Sequence, residues 1–298
     1  MAEVDPYHLL DRAVIAARAG AELAAQWRER GIGAVDTKST DTDLVTAADH
    51  AVEALLSELL LAGHPHDQLL GEESGESSRG EGAIAAEDTD RPATTVSAEP
   101  PAEGVEPLAT AEGVRWIVDP IDGTVNYVYG LPQYAVSVAA EVGGKVLAGV
   151  VVNAATGEEW TAVRGGGAWR SGVRLTCSTE ETLQRALVAT GFGYDAARRA
   201  YQASVLTRVL PLVRDIRRLG AAALDLCAVA EGWVDAYFEK GLNPWDHAAG
   251  GLVATEAGLL VTGLRGQPPG PAMVLAGPPA LHRQLHDLLV EMQADGGP

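Results

Sequence analysis

The segment Trp116-Ile117-Val118-Asp119-Pro120-Ile121-Asp122-Gly123-Thr124-Val125-Asn126 sets two carboxylates three residues apart around a proline and follows them with a Gly-Thr pair. Magnesium takes oxygen ligands in near-octahedral geometry and keeps several waters. Asp119 can bridge two such ions and Asp122 can bind one of them. Pro120 stiffens the turn, so the Ile121 carbonyl can be a further ligand. Gly123 and Thr124 would open a helix, and the free N–H groups of a helix start attract phosphate. The same residues also read as an Asp-rich turn that caps a helix.

Other acidic positions have two readings each. Glu72 and Glu73 end a short apolar run; side chains alternate near a strand end, so one of the pair is expected to face inward. Asp246 falls at the third helical position after Asn243 and Pro244, where a carboxylate favours the helix dipole by about 0.3–1 kcal/mol or is aimed outward at a metal. Asp49 completes a capping box with Thr46 or accepts a hydrogen bond from the Thr124 hydroxyl and helps orient a water. Lys38 is a solvated lysine or a cation near phosphate, and Asp43 is a turn residue or a site-facing carboxylate.

These side chains need elements to carry them. Asp5-Pro6 reads as a cap and first helical position, with apolar spacing from Leu9 to Trp27 and Gly31 as the stop. A second helix runs from Thr46 to Gly63. Leu69 to Ser74 reads as a short strand entering a polar turn. Tyr134 to Val142 and Lys145 to Val152 form a hairpin across Gly143-Gly144. Glu158 to Val163 and Ala168 to Leu175 continue the strand pattern, and Gly165-Gly166-Gly167 between them is a turn because no helix follows it. Leu187 to Thr190, Val234 to Phe238 and Met273 to Ala276 read as strands. Asp195 caps a helix reaching about Val213, and further helices cover 221–230, 243–258 and 279–292. Antiparallel pairs mixed with helices predict an α+β fold of layered sheets and helices, not a doubly wound parallel sheet.

Residues 74–113 differ in character, with nine acidic residues against two arginines and no aromatic side chain. Such a stretch cannot bury enough apolar surface to offset its ordering entropy, so it is expected to be a mobile, disordered surface insertion. It divides the chain into an N-terminal metal- and phosphate-binding half (1–73 and 114–150) and a C-terminal half (151–298) that completes the site.

The chain has 298 residues, 47% of them apolar, and a formal charge of −19. That charge argues against nucleic acid or an anionic membrane as the main partner. No apolar stretch reaches membrane-spanning length, no signal peptide is apparent, and two cysteines do not suggest a disulfide framework, so a cytoplasmic location is expected.

Taken together, Lys38, Asp43-Leu44-Val45-Thr46 with Asp49, Gly71-Glu72-Glu73-Ser74, Trp116 to Asn126, Gly220 to Cys227, and Trp245-Asp246 with Glu256-Ala257-Gly258 resemble the inositol monophosphatase family of lithium-sensitive, magnesium-dependent phosphatases. The resemblance implies a layered α-β-α-β-α sandwich, two to three magnesium ions per site and a homodimer. It implies Glu72, Asp119 and the Ile121 carbonyl as ligands of a first ion, Asp119, Asp122 and Asp246 of a second, and Glu72 at a weaker third. Thr124 and Asp49, with Glu72 nearby, would orient the attacking water. Asp122, Gly123, Thr124, Gly220, Ala222, Glu239 and Asp246 would line the site for a small phosphorylated polyol. The chain departs from the family pattern in the length of the segment after Glu73 and in Ala221, where many relatives carry Ser or Thr.

The implied activity is hydrolysis of inositol monophosphate or a similar polyol phosphate. The rivals are a histidinol-phosphate, fructose-1,6-bisphosphate or adenosine 3′,5′-bisphosphate phosphatase, and a non-catalytic regulatory protein on the same scaffold.

Overall fold

The structure is a computed structural model that describes residues 4–31, 35–38, 44–78 and 113–298. The helices are α1 (Pro6–Arg30), α2 (Ala47–Leu61), α3 (Thr124–Tyr129), α4 (Ala196–Val209), α5 (Ala222–Glu231), α6 (Pro244–Glu256) and α7 (Pro279–Glu291). The first strands are β1 (Val35–Thr37), β2 (Leu44–Thr46), β3 (Gln68–Gly71), β4 (Gly75–Ser78), β5 (Arg115–Asp122), β6 (Ala135–Val142), β7 (Lys145–Asn153) and β8 (Glu159–Val163). Then come β9 (Gly167–Arg170), β10 (Val173–Arg174), β11 (Leu187–Thr190), β12 (Asp215–Arg217), β13 (Ala236–Glu239), β14 (Leu260–Thr262) and β15 (Val274–Gly277).

Eight strands form one sheet in the order β10-β9-β8-β7-β6-β5-β3-β4, and five form a second in the order β12-β11-β13-β15-β14. The larger sheet is antiparallel except where β3 runs beside β5. In the smaller one β11 lies parallel to β12 and β13, and β15 is antiparallel to both its neighbours. Three apolar cores set the layers. Trp116, Val118, Val136 and Val138 face Ala17, Val52 and Leu56 of α1 and α2. Ile117, Ala139, Tyr237 and Val274 face the central pair α5 and α6. Val188, Phe238 and Leu275 face Val205 of α4 and Leu281 and Leu285 of α7. The alternation of neighbouring residues between cores is the two-residue period of a strand with both faces covered. The result is an α-β-α-β-α sandwich.

The helix starts follow the expected local chemistry. Asp5 caps α1, and Thr46 with Asp49 forms the capping box of α2. Gly143 and Gly144, both at positive φ, make the β6–β7 hairpin turn. Some elements differ from expectation. Ala168 to Leu175 is two strands, because Ser171 and Gly172 turn the chain between β9 and β10. The helix from Asp195 stops at Val209, and a 3₁₀ turn containing Pro211 follows it. Residues 75–78, within the segment expected to lack structure, form β4 against β3; residues 79–112 and Asp43 lie outside the described residues. The glycine triplet is a turn whose Gly165 and Gly167 amides donate to the Glu256 carboxylate. Cys177 and Cys227 are unbridged, and Cys227 is buried in the central core. Among the described residues no helix is long and apolar enough to cross a membrane.

One buried polar cluster ties α1 and α2 to the large sheet. The Asp67 carboxylate accepts from Arg12 at 2.9 Å, from the Trp116 indole at 3.1 Å and from the Val114 amide at 3.0 Å. The Arg12 guanidinium also lies 4.8 Å from the centre of the Trp116 ring. Asn at 67 offers one acceptor oxygen to three donors and breaks the ion pair. Asp67→Asn is therefore expected to lower unfolding free energy by about 2–4 kcal/mol, read from urea denaturation.

Ser78 and Arg115 flank Gln68 on its two sides, which sets them roughly 10 Å apart across two strand spacings. A short Gly-Ser link from Ser78 to Gly113 is therefore expected to leave the fold intact. Loop closure becomes easier by about 0.6 kcal/mol for each halving of length, so the thermal midpoint should hold or rise; a large fall would show that residues 79–112 belong to the folded core.

Candidate active site

The site forms where β5 loses its regular pairing with β6. Asp119 is opposite Ser137 and Asp122 opposite Ala135, so three steps on β5 match two on β6. In a regular strand residues 119 and 122 would face opposite sides of the sheet. The extra residue, at a proline with no N–H to pair, reverses that parity and turns both carboxylates to one side. Asp119 accepts the Ile121 amide at 3.1 Å. Asp122 reaches the start of α5 and accepts the Ala222 and Ala223 amides at 3.2 and 2.7 Å. The N-cap of that helix, Ala221, has no side-chain oxygen, so Asp122 supplies the cap from another layer.

Asp246 comes from the first turn of α6, where it accepts the Asn243 amide at 2.5 Å. Carboxylate oxygens of Asp119, Asp122 and Asp246 lie within 4.8 Å of one another. Glu72, in the turn between β3 and β4, is within hydrogen-bonding reach of Asp119. A buried group of acidic oxygens this close repels itself, and hard oxygen donors suit a hard divalent cation. The donor set thus fits a metal.

The electrostatics follow from burial. Asp119 is pushed well above the ordinary carboxylate range by burial, then by the charges of Glu72, Asp122 and Asp246. Burial raises Asp122 to about 7 against the opposing pull of the Ala223 amide. Asp246 is also driven well up, by burial and then by Asp122 and Glu72. Burial lifts Glu72 too, although Lys38 opposes it.

Lys38 and the two glutamates differ from expectation. Lys38 is not solvated: its ammonium meets Glu72 at 2.8 Å and Glu73 at 2.5 Å. Both glutamates serve one lysine because residues 72–74 form a turn, so strand alternation does not apply to them. Burial disfavours the Lys38 ammonium, and the two carboxylates outweigh it to raise its pKa.

Thr124 opens α3 behind Gly123, which sits at φ 89° with left-handed backbone. A side chain at 123 would also press on the Gln133 carbonyl. The Thr124 hydroxyl lies 3.0 Å from the Ile121 carbonyl and 3.4 Å from Asp49. One hydroxyl proton serves one acceptor at a time, and the nearer is Ile121. Asp49 keeps both its readings, since its other oxygen accepts the Thr46 amide and hydroxyl at 2.8 and 2.6 Å.

A cavity of about 270 Å³ has Glu72, Asp122, Gly123, Gly220, Ala222, Glu239 and Asp246 in its wall, whereas Asp119 and Thr124 do not line it. Ala222 contributes little hydrogen bonding to a ligand there, because Asp122 takes its amide. Glu239 ends β13, accepts the Tyr237 hydroxyl at 2.7 Å and is raised to about 7 by burial, against Tyr237 and Arg218. Arg198, Arg218 and Lys240 line the same cavity. Nothing in their local sequence marks them, because they reach it from separate elements. Glu53 also escapes a reading by motif, although its place four residues after Asp49, among the apolar residues of α2, is a usable signal.

The sequence pattern of the inositol monophosphatase family matches residues 5–295. Inositol-1-monophosphatase SuhB of Mycobacterium tuberculosis is 45% identical over 235 residues, which are 78% of this chain and 72% of that protein. Nus factor SuhB of Escherichia coli is 35% identical over 259 residues, 87% of this chain and 86% of its own. The crystal structure of the extragenic suppressor protein SuhB of Bartonella henselae superposes with a TM-score of 0.79 at 31% identity, covering 95% of this chain and 98% of that one. The chain belongs to the inositol monophosphatase family, a family of phosphoric monoester hydrolases.

Proposed function

We propose that this chain hydrolyses the phosphate monoester of inositol or a similar small polyol, with two to three magnesium ions held by Glu72, Asp119, the Ile121 carbonyl, Asp122 and Asp246. The observation that carries the reading is the convergence of three carboxylates within 4.8 Å of one another, two of them, Asp122 and Asp246, in the wall of a cavity of polyol size. When bound, the cations supply charge stabilisation to the phosphoryl group and lower the pKa of water. The chain's own groups do the rest. Thr124 and Asp49, with Glu72 close by, orient the attacking water, and Asp49 is the acceptor for a proton passed through the threonine hydroxyl. The Gly123 and Thr124 amides hold phosphate at the start of α3. Glu239 takes a substrate hydroxyl: Tyr237 occupies its Oε2, which leaves Oε1 for the polyol. No thiol competes as nucleophile, since Cys227 is buried in the central core and Cys177 follows β10, outside the cavity lining. A homodimer and a cytoplasmic location are part of the same proposal; the first rests on the family resemblance and the second on cysteine usage.

The Escherichia coli relative is named a Nus factor, which keeps a non-catalytic role as the rival. The higher identity to a protein named inositol-1-monophosphatase, 45% against 35%, favours catalysis. The test is phosphate release from inositol 1-phosphate, histidinol phosphate, fructose 1,6-bisphosphate and adenosine 3′,5′-bisphosphate, compared by kcat/KM. Inositol 1-phosphate is expected to lead. Asp119→Asn should reduce its turnover by on the order of 10³-fold or more, while metal-free stability holds or rises because one buried charge is gone. Folded protein that releases phosphate from none of the four substrates would establish the non-catalytic reading.

A pH dependence follows from the raised carboxylates. Asp122 and Glu239 titrate near 7 in the folded chain, above about 4 when unfolded. Their protonation favours folding below the unfolded value, and that contribution is lost as pH rises through the folded one. Metal-free protein should therefore lose stability between about pH 4 and pH 7. Magnesium would replace the proton on Asp122, a proposed ligand, so it should raise the thermal midpoint more at about pH 8 than at about pH 5; equal shifts at both would contradict a metal site that includes Asp122.

A further inference from the structure

Glu53 is a buried acid on the face of α2 that also carries Asp49, one helical turn earlier. Its two oxygens are both committed. Oε2 accepts the Glu73 amide at 2.8 Å and Oε1 accepts the Ser74 amide at 2.8 Å. Those amides belong to the turn whose first residue is Glu72. The turn is closed by the pairing of Gly71 with Gly75. A Cβ at Gly71 would overlap the Glu53 carboxylate. Glycine there is explained by close approach of a carboxylate, since its φ is not in the left-handed region.

We infer that Glu53 is a positioning residue for the metal site: it fixes the backbone of the 72–74 turn so that Glu72 is presented to Asp119 before any cation arrives. The inference deepens the proposed function and rests on Glu72 being a ligand. Two restraints act on Glu72. Lys38 pairs with its side chain directly, but a cation competes with that ammonium for the same oxygens. Glu53 acts through the backbone and makes no claim on the Glu72 carboxylate, so its restraint persists when the ion pair opens. Asp49 and Glu53 lie on one rigid helix face, so the water-orienting Thr124 and the ligand Glu72 share a common reference. Outer partners of this kind typically change metal affinity by about 10- to 100-fold when lost.

The experiment is calorimetric titration of the metal-free full chain with Mn²⁺. Glu53→Gln replaces one acceptor with a donor facing an N–H. It is expected to weaken Mn²⁺ binding by about 10- to 100-fold, and the Mg²⁺ concentration for half-maximal phosphate release should rise by a similar factor. Asp67→Asn, which lowers stability at the opposite end of β3 from the turn, should leave Mn²⁺ affinity unchanged. Glu53→Gln that loses stability but binds Mn²⁺ like the parent would reduce Glu53 to a structural residue and overturn the inference. A parent chain that binds no Mn²⁺ would instead remove the proposed function beneath it.

A second measurement needs no variant. Hydrogen exchange at the Glu73 and Ser74 amides should already be slow in the metal-free parent. Fast exchange that slows only on adding Mn²⁺ would mean the turn is ordered by the ion, and the inference would fail.

Discussion

The structure depends on burying carboxylates that repel one another, five of which are held by backbone N–H groups. Asp119 uses the Ile121 amide, Asp122 the first turn of α5, Asp246 the Asn243 amide, Asp49 the Thr46 amide, and Glu53 the Glu73 and Ser74 amides. Backbone donors suit this task because they are fixed by secondary structure and cost no further side-chain entropy. Four helices, α3, α4, α5 and α6, begin at the same cavity. Each start brings unsatisfied N–H groups and the positive end of a dipole. These groups hold the acids in place without neutralising them, which is why Asp119 and Asp246 are still driven well above the ordinary carboxylate range. The remaining demand for positive charge is what a divalent cation would meet.

The layered arrangement is what delivers those starts. β5 lies inside the large sheet, between β6 and β3. Its even-numbered residues, Trp116 and Val118, pack on α1 and α2, and Ile117 packs on the central layer. Asp119 continues the inward series by parity. Asp122 joins it only through the irregular step at Pro120. β13 repeats the logic in the other sheet: Ala236 and Phe238 face outward, Tyr237 inward, and Glu239 follows Tyr237 to the cavity. The site therefore sits where two sheets and their shared helix layer all end. A small change in strand register would remove it, because register decides which face each acid reaches.

This division explains what was legible in the sequence. Helices with local caps could be read directly: Asp5-Pro6, Thr46 with Asp49, and Asn243-Pro244 each satisfy their helix start from within a few residues. The β6–β7 hairpin was legible for the same reason. The three-residue strands β1, β2, β12 and β14 were not, since three residues show no period and their partners are set by the tertiary fold. In the site, the acidic motifs stood out by composition. What escaped were relations between distant segments. Asp122 caps a helix one hundred residues away, Lys38 bridges both Glu72 and Glu73, and Glu53 anchors a turn twenty residues on. None of these leaves a local pattern, because the partner is a backbone amide or a lone charge.

The charge of −19 opposes the proposed anionic substrate at long range, and the cavity decides the contest at short range. Net charge governs the field at long range, but a Debye length of about 8 Å at physiological salt confines the contest to nearby groups. Around the cavity, Glu72, Asp122 and Asp246 occupy one side, and Arg198, Arg218 and Lys240 also reach its wall. Arg218 opposes the upward pKa shift that burial gives Glu239 and Asp225, so part of this basic wall already acts on neighbouring acids. The cations that fill the carboxylate side would reverse its sign locally. Contacts with the proposed small substrate would be confined to the cavity, whereas those with a polyanion would spread over many Debye lengths of acidic surface.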